Sequence, residues 1–109
     1  PKKEVYRLLN TGKDIILDVD VKGAVSIREK CGNARLIFVE PPSREELIRR
    51  LTARGEKEIE LRMKRVDEEI ARKPVFGYTI VNDELENAYR KFKETIKEIR
   101  RITNGENNC

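Results

Sequence analysis

An apolar run that ends in two acidic residues constrains the fold of this chain more than any other feature. Residues 14–20 read DIILDVD and are followed by VKGA, the start of a segment rich in helix-forming residues. Parallel strands are buried on both faces, and the ligands of α/β proteins bind at their carboxyl ends. The run therefore predicts a strand over Ile15–Asp20, with Asp18 and Asp20 where carboxylates can hold Mg²⁺ or a nucleotide hydroxyl. A strand followed by a polar turn without a ligand is the alternative interpretation.

Apolar runs alternate with helical patterns along the rest of the chain. Further strands are predicted over Ala34–Val39 and Tyr78–Val81, each ended by polar or proline residues. Amphipathic spacing predicts helices over Lys3–Asn10, about Lys22–Cys31, Ser43–Arg54, Lys57–Lys73 and from Asp83 onward. Because such crossovers suit right-handed parallel connections, the predicted class is α/β, a three-layer parallel sheet with flanking helices.

Helix boundaries can be predicted from a few residues. Ser43 and Glu46 have the spacing of a capping box, Gly55 is expected to end the same helix, and Asp83 is expected to cap the final one. The predicted domain covers residues 1–103, and residues 104–109 are expected to form a disordered tail.

Composition excludes several kinds of chemistry. The chain of 109 residues has a net charge of +4 and contains no histidine, which excludes a histidine base, a Ser-His pair and a His-bearing zinc site. Cys31 and Cys109 are interpreted as free thiols in a reducing compartment. No apolar stretch reaches membrane length and no signal peptide is visible, so we expect a cytoplasmic location and no membrane partner.

Six segments, taken in order, resemble guanylate kinases, the P-loop enzymes that transfer a phosphoryl group from ATP to GMP. They are ILDVDVKGA at 16–24, FVEPPS at 38–43, EL at 46–47 with RRL at 49–51, RG at 54–55, KR at 64–65 and IVNDEL at 80–85. Each segment is weak alone, and the order and spacing over nearly the whole chain carry the resemblance.

The resemblance implies roles for six residues. Arg54 and Arg65 match two arginines of the family's lid, at about residues 52–73 here, which closes over the transferring phosphate. Asp18 and Asp20 match acids near the Mg²⁺ and the GMP, and Asn82 and Asp83 match the segment beside the ATP adenine. The implied cofactor is Mg²⁺ with ATP, and the implied ligands are ATP and GMP. Without the resemblance, each arginine would be interpreted as part of a solvated helix face.

Two details depart from the family pattern. Lys22 stands where a glutamine is usual, and residues 53–58 read ARGEKE where the family commonly has Gly-Arg-Gly-Thr-Glu. Both departures concern the detailed geometry of the site and not the resemblance itself.

The P-loop pattern Gly-x-x-x-x-Gly-Lys-Ser/Thr is absent from the sequence. Its one Gly-Lys pair, Gly12-Lys13, lacks the upstream glycine and the following hydroxyl residue. The family's GMP-binding segment is absent as well. The chain therefore resembles the C-terminal portion of a guanylate kinase: a partial P-loop kinase fold of three strands without the central P-loop strand. We expect it to be inactive alone, to need a P-loop and GMP-binding segment in cis or in trans, and to self-associate through unpaired strand edges.

Two other functions are compatible with parts of the sequence. A non-catalytic guanylate kinase-like protein-interaction module would have little need of the arginine pair Arg54 and Arg65. A nucleic-acid-binding fragment would use the basic final helix, whose cations could instead complement the helix dipole. These cations are Arg90, Lys91, Lys93, Lys97, Arg100 and Arg101.

Overall fold

The computed structural model describes residues 15–103, in which helices alternate with two short strands. In chain order the elements are α1 (Val21–Lys30), β1 (Ile37–Glu40), α2 (Arg44–Ala53), α3 (Ile59–Ala71), a 3-10 helix (Lys73–Val75), β2 (Tyr78–Val81) and α4 (Leu85–Thr103). The mixed α/β class is therefore confirmed. The helix predicted over Lys3–Asn10 and the tail predicted over 104–109 lie outside the described residues.

The two strands pair in parallel, as predicted. Ile37 is opposite Tyr78 and Glu40 is opposite Val81, so both carboxyl ends lie at the same edge of the sheet. The ladder continues one residue further, because the Asn82 amide donates to the Glu40 carbonyl at 2.7 Å. β1 begins at Ile37, three residues later than the predicted start at Ala34.

The strand predicted over Ile15–Asp20 is not formed, so the three-strand sheet is not what residues 15–103 adopt. This segment has no regular secondary structure, and Ile16, Leu17 and Val19 are exposed, Ile16 to 65%. A parallel strand depends on a neighbouring strand for its backbone hydrogen bonds, whatever its own sequence favours. The prediction was wrong because an apolar run indicates only a tendency to be buried. It does not indicate whether a neighbouring strand is present for pairing.

Local capping follows the sequence closely. The Ser43 hydroxyl accepts from the Glu46 amide at 3.0 Å, and the Asp20 carboxylate accepts from the Gly23 amide at 2.7 Å. At the end of α2, the amides of Gly55 and Glu56 donate to the Thr52 and Leu51 carbonyls, both at 3.0 Å, which is a Schellman motif. Gly55 adopts the φ of 75° that this motif requires, so glycine ends the helix as predicted.

The core within residues 15–103 is small. Its buried apolar side chains are Ala24, Leu36, Phe38, Leu51, Met63 and Ile80. Leu51 of α2 is 1% exposed, and Phe38 contacts Phe76 edge to face with ring centroids 5.2 Å apart. α2 packs on α3, and α4 packs on β2.

The apolar side chains of α4 are buried only in part. Phe92, Ile96 and Ile99 are half-buried, but Leu85 at the start of α4 is 83% exposed and Tyr89 is exposed as well. β2 has four residues and cannot cover the first turns of a helix of nineteen.

Two expectations drawn from composition have different outcomes. Cys31 is disulfide-bonded, so its interpretation as a free thiol is wrong and no longer supports a reducing compartment. In residues 15–103, no helix combines the length and the apolar character needed to span a membrane.

Candidate functional site

The carboxyl-end edge of the two-stranded sheet holds one pair of predicted site residues. Asn82 and Asp83 follow β2 directly, and the Asn82 amide is used in the ladder to β1. The Asp83 carboxylate accepts from the Glu84 amide at 2.6 Å, next to the first turn of α4. α4 begins at Leu85, and the first carbonyl that accepts within it is that of Glu84, from the Ala88 amide, so Asp83 does not cap this helix as predicted. The Asn82 side chain makes no hydrogen bond within residues 15–103.

Arg50 connects this edge to α2, a contact that the sequence analysis did not single out. Its Nη1 and Nη2 donate to the carbonyls of Asn82 and Asp83, both at 3.4 Å, and its Nε donates to Glu46 Oε1 at 3.1 Å. Glu46 also accepts from Arg49, whose Nε lies 2.9 Å from Oε2 and whose Nη2 lies 2.5 Å from Oε1. The i,i+4 spacing of Glu46 and Arg50 was the available signal, but it could not show that Arg50 reaches beyond its own helix.

The two arginines alter the protonation of Glu46. The hydrogen bond from Arg49, opposed by partial desolvation and aided by Arg50, lowers the pKa of Glu46 from 4.5 to about 2. The same hydrogen bond to Glu46 raises the pKa of Arg49. Glu46 is therefore ionised wherever a nucleotide-binding site would operate, and it holds Arg50 toward the strand edge.

Arg54 and Arg65 lie in the connection between β1 and β2, which contains α2 and α3. Arg54 is the C-cap of α2, and Arg65 is on α3, two positions beyond the buried Met63 and so on the outer side of that helix. Both side chains are exposed and form no ion pair or hydrogen bond within residues 15–103. Their guanidinium groups are therefore available to bind phosphate oxygens bidentately.

Two further arginines of this segment share those properties. Arg62 lies one turn before Arg65 on α3, and Arg72 is the C-cap of α3, as Arg54 is of α2. Neither has an ion-pair partner within residues 15–103. They are matched comparisons for the two predicted arginines, because exposure and helix position are the same.

Asp18 and Asp20 lie together at the start of α1. Asp20 is the N-cap of α1 and uses one carboxylate oxygen for the Gly23 amide, whereas Asp18 is exposed and makes no hydrogen bond within residues 15–103. No cluster of three or more metal-ligating side chains occurs in that part of the chain. Mg²⁺ is commonly held by one or two carboxylates completed by water and substrate phosphates, so these two acids fit such a site.

Two ion pairs join distant parts of the chain. Lys73 Nζ donates to both oxygens of Glu40, at 3.0 and 2.8 Å, and so connects the 3-10 helix to the end of β1. Arg44 pairs with Asp67 and connects the start of α2 to α3. No hydrogen bond within residues 15–103 joins the two acids, Arg54 and Arg65, and the Asn82–Asp83 pair to one another.

Comparison with known proteins gives one consistent family. The family model for guanylate kinase matches residues 1–99. A guanylate kinase of Synechococcus sp. (strain JA-3-3Ab) is 38% identical over 96 residues, which are 85% of this chain and 44% of that protein. A guanylate kinase of Latilactobacillus sakei subsp. sakei (strain 23K) is 36% identical over 100 residues, covering 89% and 49%.

A guanylate kinase of Bdellovibrio bacteriovorus is 38% identical over 93 residues, covering 83% of this chain and 50% of that protein. The chain thus spans about half the length of the curated relatives that it matches. The match over residues 1–99 runs through the sheet edge, both exposed arginines and both acids. The chain belongs to the guanylate kinase family.

Proposed function

We propose that this chain supplies the lid and the nucleotide-side acids of a guanylate kinase, which transfers a phosphoryl group from ATP to GMP. Membership of the family supports the reaction class. The observation that carries the proposal is the family match over residues 1–99, which includes Arg54 and Arg65. Their exposure without an ion-pair partner within residues 15–103, which Arg62 and Arg72 share, leaves them accessible to a phosphate. Phosphoryl transfer needs positioned cations more than it needs an acid or a base, and guanidinium groups fit phosphate oxygens.

The other predicted residues have supporting roles. Asp18 and the remaining oxygen of Asp20 would hold Mg²⁺, which when bound neutralises charge on the nucleotide phosphates. Asn82 and Asp83 would contact the adenine of ATP from the sheet edge, where Arg50 fixes their backbone carbonyls.

The chain alone is proposed to be inactive. A P-loop cradles the phosphates with backbone amides and supplies a lysine and a metal-binding hydroxyl, and the sequence contains no such loop. Those groups would have to come from a further segment, in cis or in trans.

A coupled ATP/GMP phosphotransfer assay tests the proposal. The chain is assayed alone and fused to the part of the Synechococcus relative that it does not cover. We expect no turnover from the chain and turnover from the fusion. In the fusion, Arg54→Ala and Arg65→Ala should each lower kcat by about 10²-fold or more, because each removes a cation from the transferring phosphate.

Arg72→Ala and Arg62→Ala are the matched controls, since both remove an exposed arginine without an ion pair within residues 15–103 from the same segment. Turnover by the unfused chain would contradict the proposed inactivity. A fusion whose turnover is unaffected by Arg54→Ala and Arg65→Ala would contradict the proposed lid roles. A fusion that folds without turnover would favour the non-catalytic interaction module.

A further inference from the structure

The segment proposed as the lid, residues 52–73, is attached to the sheet at both of its ends. Arg50, two residues before the segment, donates to the carbonyls of Asn82 and Asp83 at 3.4 Å. Lys73, its last residue, donates to both oxygens of Glu40 at 3.0 and 2.8 Å. Arg54 and Arg65 lie between these two attachments.

Each attachment reaches the strand that is not its neighbour in sequence. α2 follows β1, yet its Arg50 reaches the end of β2, while the 3-10 helix precedes β2, yet its Lys73 reaches the end of β1. The strand ends are themselves joined by the hydrogen bond from the Asn82 amide to the Glu40 carbonyl at 2.7 Å. Both ends of the lid segment are thereby held at one edge of the sheet.

The attachment through Lys73 is the stronger of the two. It is charge-assisted, uses both carboxylate oxygens, and is partly withdrawn from water, with Lys73 exposed to 37% and Glu40 to 22%. The hydrogen bonds of Arg50, at 3.4 Å, are longer than the usual N–H···O range and end on neutral carbonyls. This ion pair joins residues that are 33 positions apart in sequence and fixes the end of the lid segment at the sheet.

We propose that Glu40 and Lys73 are positioning residues, whose ion pair fixes the hinge of the lid and so sets where Arg54 and Arg65 arrive when the lid closes. This inference rests on the proposed function. The pair touches no reacting atom, and it acts by holding the end of α3 at a fixed place relative to the strand end. Loss of the pair would leave the arginines in the chain but misplace them over the phosphate.

The fusion enzyme described above tests the inference through kcat and KM. Lys73→Met and Glu40→Gln should each lower kcat by about tenfold to 10²-fold, since misplacement by ~1 Å can cost about 10²-fold. KM for GMP should stay within about twofold, because the pair lies outside the proposed GMP contacts. The charge-swapped double variant, Glu40→Lys with Lys73→Glu, should recover most of the lost kcat, which a purely steric role would not allow.

The controls are Glu94→Gln, which breaks an exposed ion pair with Arg90 on α4, and Lys97→Met, which removes an exposed α4 lysine without an ion pair within residues 15–103. Neither should change kcat. Unchanged kcat in both Lys73→Met and Glu40→Gln would overturn the inference, and so would equal losses in the controls.

Hydrogen exchange in the same fusion proteins gives a readout that does not depend on turnover. The amides to follow are those of Phe76, which donates to the Lys73 carbonyl, and Asn82, which donates to the Glu40 carbonyl. Lys73→Met should speed their exchange about tenfold, as expected for losing one charge-assisted contact, and Lys97→Met should not. A fusion without turnover would contradict the proposed function, and the exchange rates alone would then decide whether the pair holds the hinge. Unchanged amide exchange rates in Lys73→Met would overturn the inference that the Glu40–Lys73 pair holds the hinge.

Discussion

At the scale of single residues, Asp20 combines a structural and a proposed chemical role. One of its carboxylate oxygens caps α1 through the Gly23 amide, which leaves the other oxygen for a cation. Gly23 allows this close approach, because a Cβ at that position would lie 3.0 Å from the capping oxygen and 3.3 Å from the Cβ of Val19. A side chain at position 23 would therefore disturb the cap.

Substitution of Asp20 can separate the two roles. Asparagine caps helices as well as aspartate does, so Asp20→Asn should keep the unfolding free energy of the fusion within ~0.5 kcal/mol while lowering its Mg²⁺-dependent turnover. Asp20→Ala should lower turnover and cost ~1 kcal/mol of stability as well. Urea denaturation and turnover as a function of Mg²⁺ concentration measure the two effects. Full turnover in Asp20→Asn would rule out a role for this carboxylate in holding the metal.

At the scale of elements, α2 connects the core, the strand edge and the segment proposed as the lid. Its buried face contributes Leu51, its polar face carries the Glu46 network, and its end leads through the Schellman motif to Arg54. The helix begins at a side-chain cap and ends at a glycine, both predictable locally. The contact from Arg50 to the β2 end depends instead on how α2 packs.

The Glu46 network should give α2 a defined acid sensitivity. The pKa of Glu46 is lowered from 4.5 to about 2, so the folded state binds this proton less tightly than the unfolded state. The stabilisation is complete above pH 4.5 and is lost as the pH falls through about 2. A titration of the Glu46 carboxyl by ¹³C NMR should give a midpoint near 2, and Arg49→Gln should move it upward.

The matched control for stability is Glu45→Gln, since Glu45 is exposed and has no ion pair within residues 15–103. Glu46→Gln should remove stability at pH 7 and the acid sensitivity between pH 4.5 and 2, whereas Glu45→Gln should remove neither. A Glu46 midpoint close to 4.5 would contradict the network as described.

At the scale of the whole molecule, the described part of the chain has little core for its length. It has six buried apolar side chains. Other apolar side chains are exposed on the Ile15–Asp20 segment, on β1 and on α4. Domains of this size are stable by only about 5–15 kcal/mol, so loss of a few packed contacts matters. The exposed apolar segment and the two-stranded sheet both favour association with a further strand.

The unfused chain should accordingly self-associate at micromolar concentrations and unfold with low cooperativity. Ile16→Lys should weaken the association, because Ile16 is 65% exposed on the unpaired segment. Leu85→Lys is the control, since Leu85 is 83% exposed but lies on α4, outside the Ile15–Asp20 segment. Sedimentation velocity and thermal circular dichroism measure both properties. A monomer with a sharp, cooperative melt would contradict the prediction.

Much of the local structure was predictable because its causes are local. The Ser43 cap and the glycine at 55 each depend on residues within one or two turns. The apolar run Tyr78–Val81 was recognisable locally, but the strand itself depends on pairing with β1. The candidate site was predictable only as a set of residue types. That Arg54 and Arg65 lie exposed, and that Asp20 uses one oxygen as a cap, required the fold.

By itself, the sequence determined the family, the α/β class and both ends of α2, because these depend on residue types in a fixed order. Only the tertiary structure decided that Ile15–Asp20 forms no strand and that Lys73 pairs with Glu40 across 33 positions. Strand pairing and ion pairs of this kind join residues that are distant along the chain. Their free energy depends on which partner the fold brings near. The spacing of residues along the chain does not give the distance between two such partners in the folded protein.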